Sequence, residues 1–217
     1  MDCPDSIASW RKTQRIELIA RRLAVPDLQR RDWTAAITNF LIEGFPLLHE
    51  LVVGFCWPYK GEVDPRFAIR ELRRLGTRAV LPAVLAKAAP LQFREWAPGV
   101  AMTKGVFDLP VPEGTPVLVP QALLMPPIGF DHQAYRLGYG GGYFDRTLAA
   151  MESKPLKIGI AFELSRIATI FPQPHDVPMD FLVSERGIHK VGSGGLEPVT
   201  DPGEVNRLVG DMGIGRR

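Results

Sequence analysis

Arg136-Leu137-Gly138-Tyr139-Gly140-Gly141-Gly142-Tyr143-Phe144-Asp145-Arg146 places four glycines within five positions. Upstream, Ala122-Leu123-Leu124-Met125-Pro126-Pro127 reads as a buried strand that ends at a proline pair. Downstream, Phe144, Leu148 and Met151 recur at helical spacing and give one apolar face. The order is strand, glycine loop, helix start, and it sets the class of the fold as α/β.

Glycines let backbone N–H groups come close to an anion. A helix N-terminus adds unpaired donors and a partial positive charge. Arg136 can add a forked cation. These features suit a phosphate. Asp145, in the first helical turn, either balances the charge of that end or holds Mg2+ against the phosphate. A flexible strand-to-helix connection would also carry glycines. Two standard nucleotide motifs are excluded: there is no Gly-Lys-Ser/Thr, and Tyr143 stands where a dinucleotide fingerprint needs its third glycine.

Towards the N-terminus, residues 1–9 read as loose. From Trp10 a helix is expected, with Ile16, Ile19, Ala20 and Leu23 as its core stripe and Pro26 at its end. Arg15 lies about 40° from Ile19 at 100° per residue and flanks that stripe. Lys12 lies one turn earlier. Both either snorkel on a basic helix or reach an anion. Asp32 is expected to cap a second helix through Ile37, Phe40 and Leu41.

Leu51 to Trp57 reads as a buried strand, and Pro58-Tyr59-Lys60-Gly61-Glu62-Val63 as a loop. Asp64 and Pro65 start a helix that Gly76 ends, and a strand follows from Ala79. Strand, helix and strand with short links imply a parallel pair with a right-handed crossover. Glu62 then sits beyond a strand's C-terminal edge, where α/β sheets bind ligands. A solvated loop acid is the plainer account of it.

Arg78–Leu85 and Leu91–Trp96 are expected as two strands joined by a turn, and Lys157–Glu163 and Phe181–Ser184 as two more. Pro172-Gln173-Pro174-His175-Asp176-Val177-Pro178-Met179-Asp180 is turn-rich, and its two aspartates suit turn caps.

The chain of 217 residues is long enough to bury a core without staples. The expected layout is one domain over 1–194 and a C-terminal tail, 195–217, set apart as mobile. A formal charge of +2 is too small to suggest nucleic acid or a membrane surface as partner. Cys3 and Cys56 make no disulfide framework and fit a reducing cytoplasm, the expected location. No apolar run approaches ~18 residues, and no secretory leader is read at the N-terminus.

The run Gly129 to Arg146, the loop Lys60-Gly61-Glu62-Val63-Asp64 and the Pro174-His175-Asp176-x-Pro178-x-Asp180 motif stand in an order that resembles the 5-formyltetrahydrofolate cyclo-ligase family. The likeness runs from about Lys12 to Val191. Phe144 departs from a commonly found Tyr, and Tyr139 and Gly141 stand where some members carry basic residues.

The resemblance implies a single three-layer α/β domain with a mainly parallel central sheet flanked by helices. It implies that 5-formyltetrahydrofolate and ATP give 5,10-methenyltetrahydrofolate, ADP and phosphate. It places ATP on Lys12, Arg15, Arg136, Gly138, Tyr139, Gly140, Gly141, Gly142, Tyr143 and Phe144. The folate falls to Trp57, Glu62, Tyr139 and Tyr143. Arg136 and Asp145 take catalytic roles, and Asp145 with Asp176 holds Mg2+. Two alternatives stay open: a paralogue using ATP on another formyl or amide compound, and a phosphate- or nucleic-acid-binding module without turnover.

Overall fold

The computed structural model describes residues 6–213. Helices α1 (Ile7–Leu23) and α2 (Asp27–Gly44) precede strand β1 (Val52–Phe55). Helix α3 (Arg66–Arg74) leads to β2 (Arg78–Ala83) and β3 (Gln92–Trp96). Strands β4 (Met102–Lys104) and β5 (Pro110–Pro112) form a separate hairpin, and β6 (Ala122–Met125) returns to the main sheet. A second small hairpin, β7 (Gly129–Phe130) with β8 (Arg136–Leu137), carries the chain into the glycine loop and helix α4 (Tyr143–Ala150). Then come β9 (Leu156–Ile160), β10 (Phe181–Ser184), β11 (Gly187–Gly192), β12 (Gly195–Pro198) and helix α5 (Pro202–Asp211).

The main sheet has the order β12-β11-β10-β9-β6-β1-β2-β3. Strands β2, β1, β6, β9 and β10 run parallel, with antiparallel strands at both edges. Parallel strands are covered on both faces, so they read as continuous apolar runs. Val53, Phe55, Leu81, Leu124, Ile158 and Val183 face a layer built from α2, α3 and α5. Val80, Leu123, Met125 and Leu182 face the other way, towards Leu148 of α4 and Phe130 of β7. The three-layer α/β architecture read from the sequence is the one observed.

From β1 the chain winds through β2 to β3. From β6 it winds the opposite way through β9 to β10. The strand order therefore reverses between β1 and β6, and the loops leaving their C-terminal ends diverge there. Such a reversal opens a crevice in a parallel sheet. The loop after β1 carries Glu62. The chain after β6 carries the glycine loop.

Four expectations need correction. Residues 7–9 belong to α1, capped by the Ser6 hydroxyl accepting the Ser9 N–H at 3.3 Å; residues 1–5, Cys3 among them, lie outside the described residues. The core side of α1 is not the stripe from Ile16 to Leu23: Ile16 and Leu23 are 63% and 54% exposed, whereas Leu18 and Arg22 are buried. Asp32 is interior to α2, which begins at Asp27 behind Pro26. The division at residue 194 falls inside the β11–β12 hairpin, and Val205 and Val209 of α5 are buried in the main core. Residues 195–211 are thus an integral edge of the sheet and its helical cover; residues 214–217 lie outside the described residues.

Candidate active site

The glycine loop is exposed backbone between β8 and α4. Among the described residues, none of the N–H groups from Gly138 to Gly142 donates a hydrogen bond to the protein. Helix α4 starts behind Gly142 in a left-handed conformation, φ +61°, with no side-chain cap. Its first-turn amides are therefore free as well. Gly140 is also left-handed, φ +93°, and a methyl group there would meet the Arg15 guanidinium carbon at 3.4 Å. This is a concave set of donors suited to an anion.

Two arginines converge on it. Arg15 of α1 donates from Nε to the Gly138 carbonyl at 2.7 Å. Burial, with Arg11 nearby, holds Arg15 below the ordinary guanidinium range. Arg146 donates to the Gly141 carbonyl, and its Nε is buried without a partner. Lys12 is exposed one turn before Arg15 and makes no ion pair among the described residues.

Arg136 is placed differently from the expected free fork. It bonds the Val177 carbonyl and, through Nη2, Asp145 Oδ1 at 2.6 Å. Its side chain is 7% exposed. Burial draws it below the usual guanidinium range, against the opposing charges of Asp145 and Asp176. Asp145 Oδ1 also accepts the Val177 N–H at 3.2 Å.

The neighbouring Asp176 takes Arg11 at 2.5 Å and the Gln173 N–H at 2.7 Å, both on Oδ2. Burial works against its charge, but those two donors hold its carboxyl below the usual range. Asp145 thus pairs with Arg136 and Asp176 with Arg11, and the charges of both carboxylates act on Arg136. Each keeps one oxygen, Oδ2 of Asp145 and Oδ1 of Asp176, without a hydrogen bond among the described residues. Mg2+ takes hard oxygens, commonly one or two carboxylates completed by phosphate and water. The pair fits that requirement. No cluster of three or more acidic, His or Cys side chains that could hold a metal occurs among the described residues.

Glu62 is buried and meets the glycine loop directly. Tyr139 donates its hydroxyl to Oε1 at 2.8 Å, and the Tyr59 N–H reaches Oε2 at 3.0 Å. Burial pushes the carboxyl up to about 7, against the pull of Arg22 and these two donors. On its other side Glu62 lines a cavity of about 580 Å³, walled by Thr34 and Thr38 of α2, Pro58 and Phe67, with Arg31 among its lining residues. Trp57 is half-buried under the Arg66 guanidinium, 4.6 Å from its ring centre, and Asp64 grips Arg66 at 2.8 and 2.6 Å. Phe107, at the tip of the β4–β5 hairpin, sets its ring edge-on to Tyr143 at 6.2 Å. Phe144 lies under Arg136 at 5.9 Å.

A profile of the 5-formyltetrahydrofolate cyclo-ligase family matches residues 7–185. The chain belongs to the 5-formyltetrahydrofolate cyclo-ligase family. The 5-formyltetrahydrofolate cyclo-ligase of Mycolicibacterium smegmatis is 29% identical over 183 residues, spanning 80% of this chain and 93% of that relative. The enzyme of the same name from Escherichia coli K12 is 26% identical over 171 residues, 76% of this chain and 93% of its own length. The structure of 5,10-methenyltetrahydrofolate synthetase from Aquifex aeolicus shares the fold with a TM-score of 0.73 at 23% identity, over 88% of this chain and 97% of that one. The Mycoplasma pneumoniae synthetase does so with a TM-score of 0.67 at 23% identity, over 81% and 98%.

Within this cyclo-ligase frame, sequence reasoning missed Arg11, Arg22, Arg146 and Phe107. The signal for the first two was in the helix. Arg11, Arg15, Leu18 and Arg22 fall within about 60° of one another at 100° per residue. Phe107 sits in a hairpin whose turn residues, Phe107 and Asp108, both take positive φ, +64° and +56°. Nothing in the local sequence marks that turn.

Proposed function

We propose that the protein converts 5-formyltetrahydrofolate and ATP into 5,10-methenyltetrahydrofolate, ADP and phosphate. The observation that carries this reading is the Glu62–Tyr139 hydrogen bond, 2.8 Å long, at the reversal point of the sheet. It joins the loop assigned to the folate to the loop assigned to the triphosphate. A formyl oxygen held by one loop would lie beside a γ-phosphoryl group held by the other.

A formamide oxygen is a poor leaving group. Phosphoryl transfer onto it makes a good one, after which nitrogen 10 of the folate closes the ring and phosphate departs. The protein's task is alignment and charge neutralisation. Lys12, Arg15 and Arg146 neutralise the triphosphate, and the free amides from Gly138 to Gly142 receive its oxygens. Glu62 accepts the amino donors of the pterin ring, and the adjoining cavity has a volume usual for small-molecule sites. Tyr143 and Phe107 offer a ring pair to the folate, and Trp57 lines its approach. Arg136 braces Asp145 from beneath the loop. Mg2+, held by Asp145 and Asp176, would offset charge on the transferring group.

The test is the absorbance of methenyl-folate on mixing the protein with 5-formyltetrahydrofolate, with and without ATP. ATP-dependent formation is expected. Formation at the same rate without ATP, or none with ATP while both ligands bind, rejects the reading and favours a paralogue with another substrate.

A further inference from the structure

We infer that Arg22 is a positioning residue: it sets Glu62 and Tyr139 for the folate, tying the substrate loop to the phosphate loop. The inference rests on the function proposed above.

Arg22 is 2% exposed near the C-terminal end of α1. Its single guanidinium reaches three separate segments. Nε donates to the Lys60 carbonyl at 2.9 Å, in the loop after β1. Nη1 donates to the Pro127 carbonyl at 3.4 Å, just after β6. Nη2 donates to the Tyr139 hydroxyl at 3.1 Å, in the glycine loop, and lies 3.8 Å from Glu62 Oε1. A planar fork with fixed donor directions can make such a three-way contact; the point charge of a lysine cannot.

The direction of the bonds matters. The Tyr139 oxygen accepts from Arg22, so its own proton points to Glu62. The chain of donors therefore runs from Arg22 through Tyr139 to the carboxylate. A carboxylate this deep needs that help to stay ionised. Only as an ionised acceptor can Glu62 take both amino donors of a pterin edge. Arg22 touches no substrate in this arrangement; it acts through its neighbours.

The charged and titratable groups around Glu62 come from every packed element. Arg22 approaches from α1 and Tyr139 from the glycine loop. Cys56, just past β1, has its thiol raised by burial and by Glu62. Lys60 and Asp64 are on its own loop, and Arg30 and Arg31 of α2 face it across the cavity. Asp64 is already matched by Arg66. Arg22 is the cation nearest the carboxylate among the described ion pairs.

The experiment compares wild type with Arg22→Met and Arg22→Lys. KM for 5-formyltetrahydrofolate, KM for ATP and the acid limb of kcat/KM are read from below to above neutral pH. Arg22→Met is expected to raise the folate KM by about 10-fold or more. It should leave the ATP KM within about 2-fold and move the acid limb to higher pH. Arg22→Lys should restore most of the limb but not the affinity. A lower melting temperature with both KM values changed equally, or with an unmoved limb, makes Arg22 a structural brace and overturns the inference. Should Arg22→Met not fold, Tyr139→Phe interrupts the same chain at an exposed loop. It too must move the limb upwards; an unmoved limb there counts against the inference. A wild type that neither turns over nor binds 5-formyltetrahydrofolate fails the functional reading, and this inference with it. An active wild type with indifferent variants fails the inference alone.

Discussion

Arg136 and Asp145 face each other at the root of the glycine loop, with Nη2 2.6 Å from Oδ1. The same carboxylate oxygen caps the Val177 N–H and so holds the Asp176 segment against the loop. Asp145→Asn therefore does more than remove a helix-end charge. It leaves a buried guanidinium without its anion, and the fold should lose about 1–3 kcal/mol in urea denaturation. Turnover should fall by roughly 100-fold or more, about 2.7 kcal/mol of barrier, with partial rescue at high Mg2+. A destabilised variant with normal turnover and normal Mg2+ dependence would make Asp145 a brace only.

Glu62 links pH to stability. Its carboxyl moves from an ordinary 4.5 to about 7 because burial disfavours the charged form. A raised carboxyl value means that the protonated form suits the folded state. The wild type should lose stability as pH climbs from about 4.5 to 7 and level off above that window. Within the window the slope approaches about 1.4 kcal/mol for each step of one in pH. Glu62→Gln should lack this slope in denaturation curves at acid and alkaline pH, while binding 5-formyltetrahydrofolate about 10- to 150-fold more weakly and ATP nearly as well. Parallel slopes, or equal losses for both ligands, would refute the assignment.

Arg15→Ala should damage nucleotide use more than the fold. The side chain is half-buried, and its bond to the Gly138 carbonyl is at the edge of the free amides. We expect the ATP KM to rise about 10-fold, with less than ~1 kcal/mol lost in stability. A lower melting temperature with an unchanged ATP KM would return Arg15 to a packing role.

Two glycines of the loop should respond differently to one methyl group. Gly140 has φ +93°, and its added carbon would press on Arg15. At Gly138 an added carbon meets nothing within 4 Å. Gly140→Ala is expected to cost about 1–2 kcal/mol, and Gly138→Ala to stay within ~0.5 kcal/mol. Denaturation midpoints of the two variants decide; equal costs would mean that backbone conformation is not what selects glycine here.

Removal of residues 195–217 tests the sheet edge. The cut strips β12 from β11 and takes away Val205 and Val209, both 1% exposed. Each buried valine is worth about 1.5–3 kcal/mol. The shortened chain should melt far lower or aggregate through its uncovered edge. Unchanged melting would show the segment to be dispensable.

The parallel strands were legible because burial on both faces writes continuous apolar runs, and Phe181–Ser184 is found at the predicted bounds. The glycine loop and Glu62 were legible as motifs. Helix α1 was not. Its apolar residues Ile16 and Leu23 face outwards, and its inner side is lined with arginines whose acceptors are carbonyls and carboxylates far along the chain. Hydrophobic periodicity finds core faces, and this face is polar for the sake of the site. The C-terminal strand and helix were missed for another reason: a four-residue edge strand, Gly195–Pro198, with only its first position buried carries little pattern.

The placement of α1 has a consequence for how the chain is made. Arg11 emerges first, but its partner Asp176 lies 165 residues later. At about 5–20 residues per second, the helix waits roughly 8–33 s for that partner during synthesis. Until then Arg11 lacks its acceptors, and the seat of Leu18 lacks Ile170. Docking of the start of α1 is thus a late event of biogenesis, and the candidate site closes only after the Asp176 segment has been made.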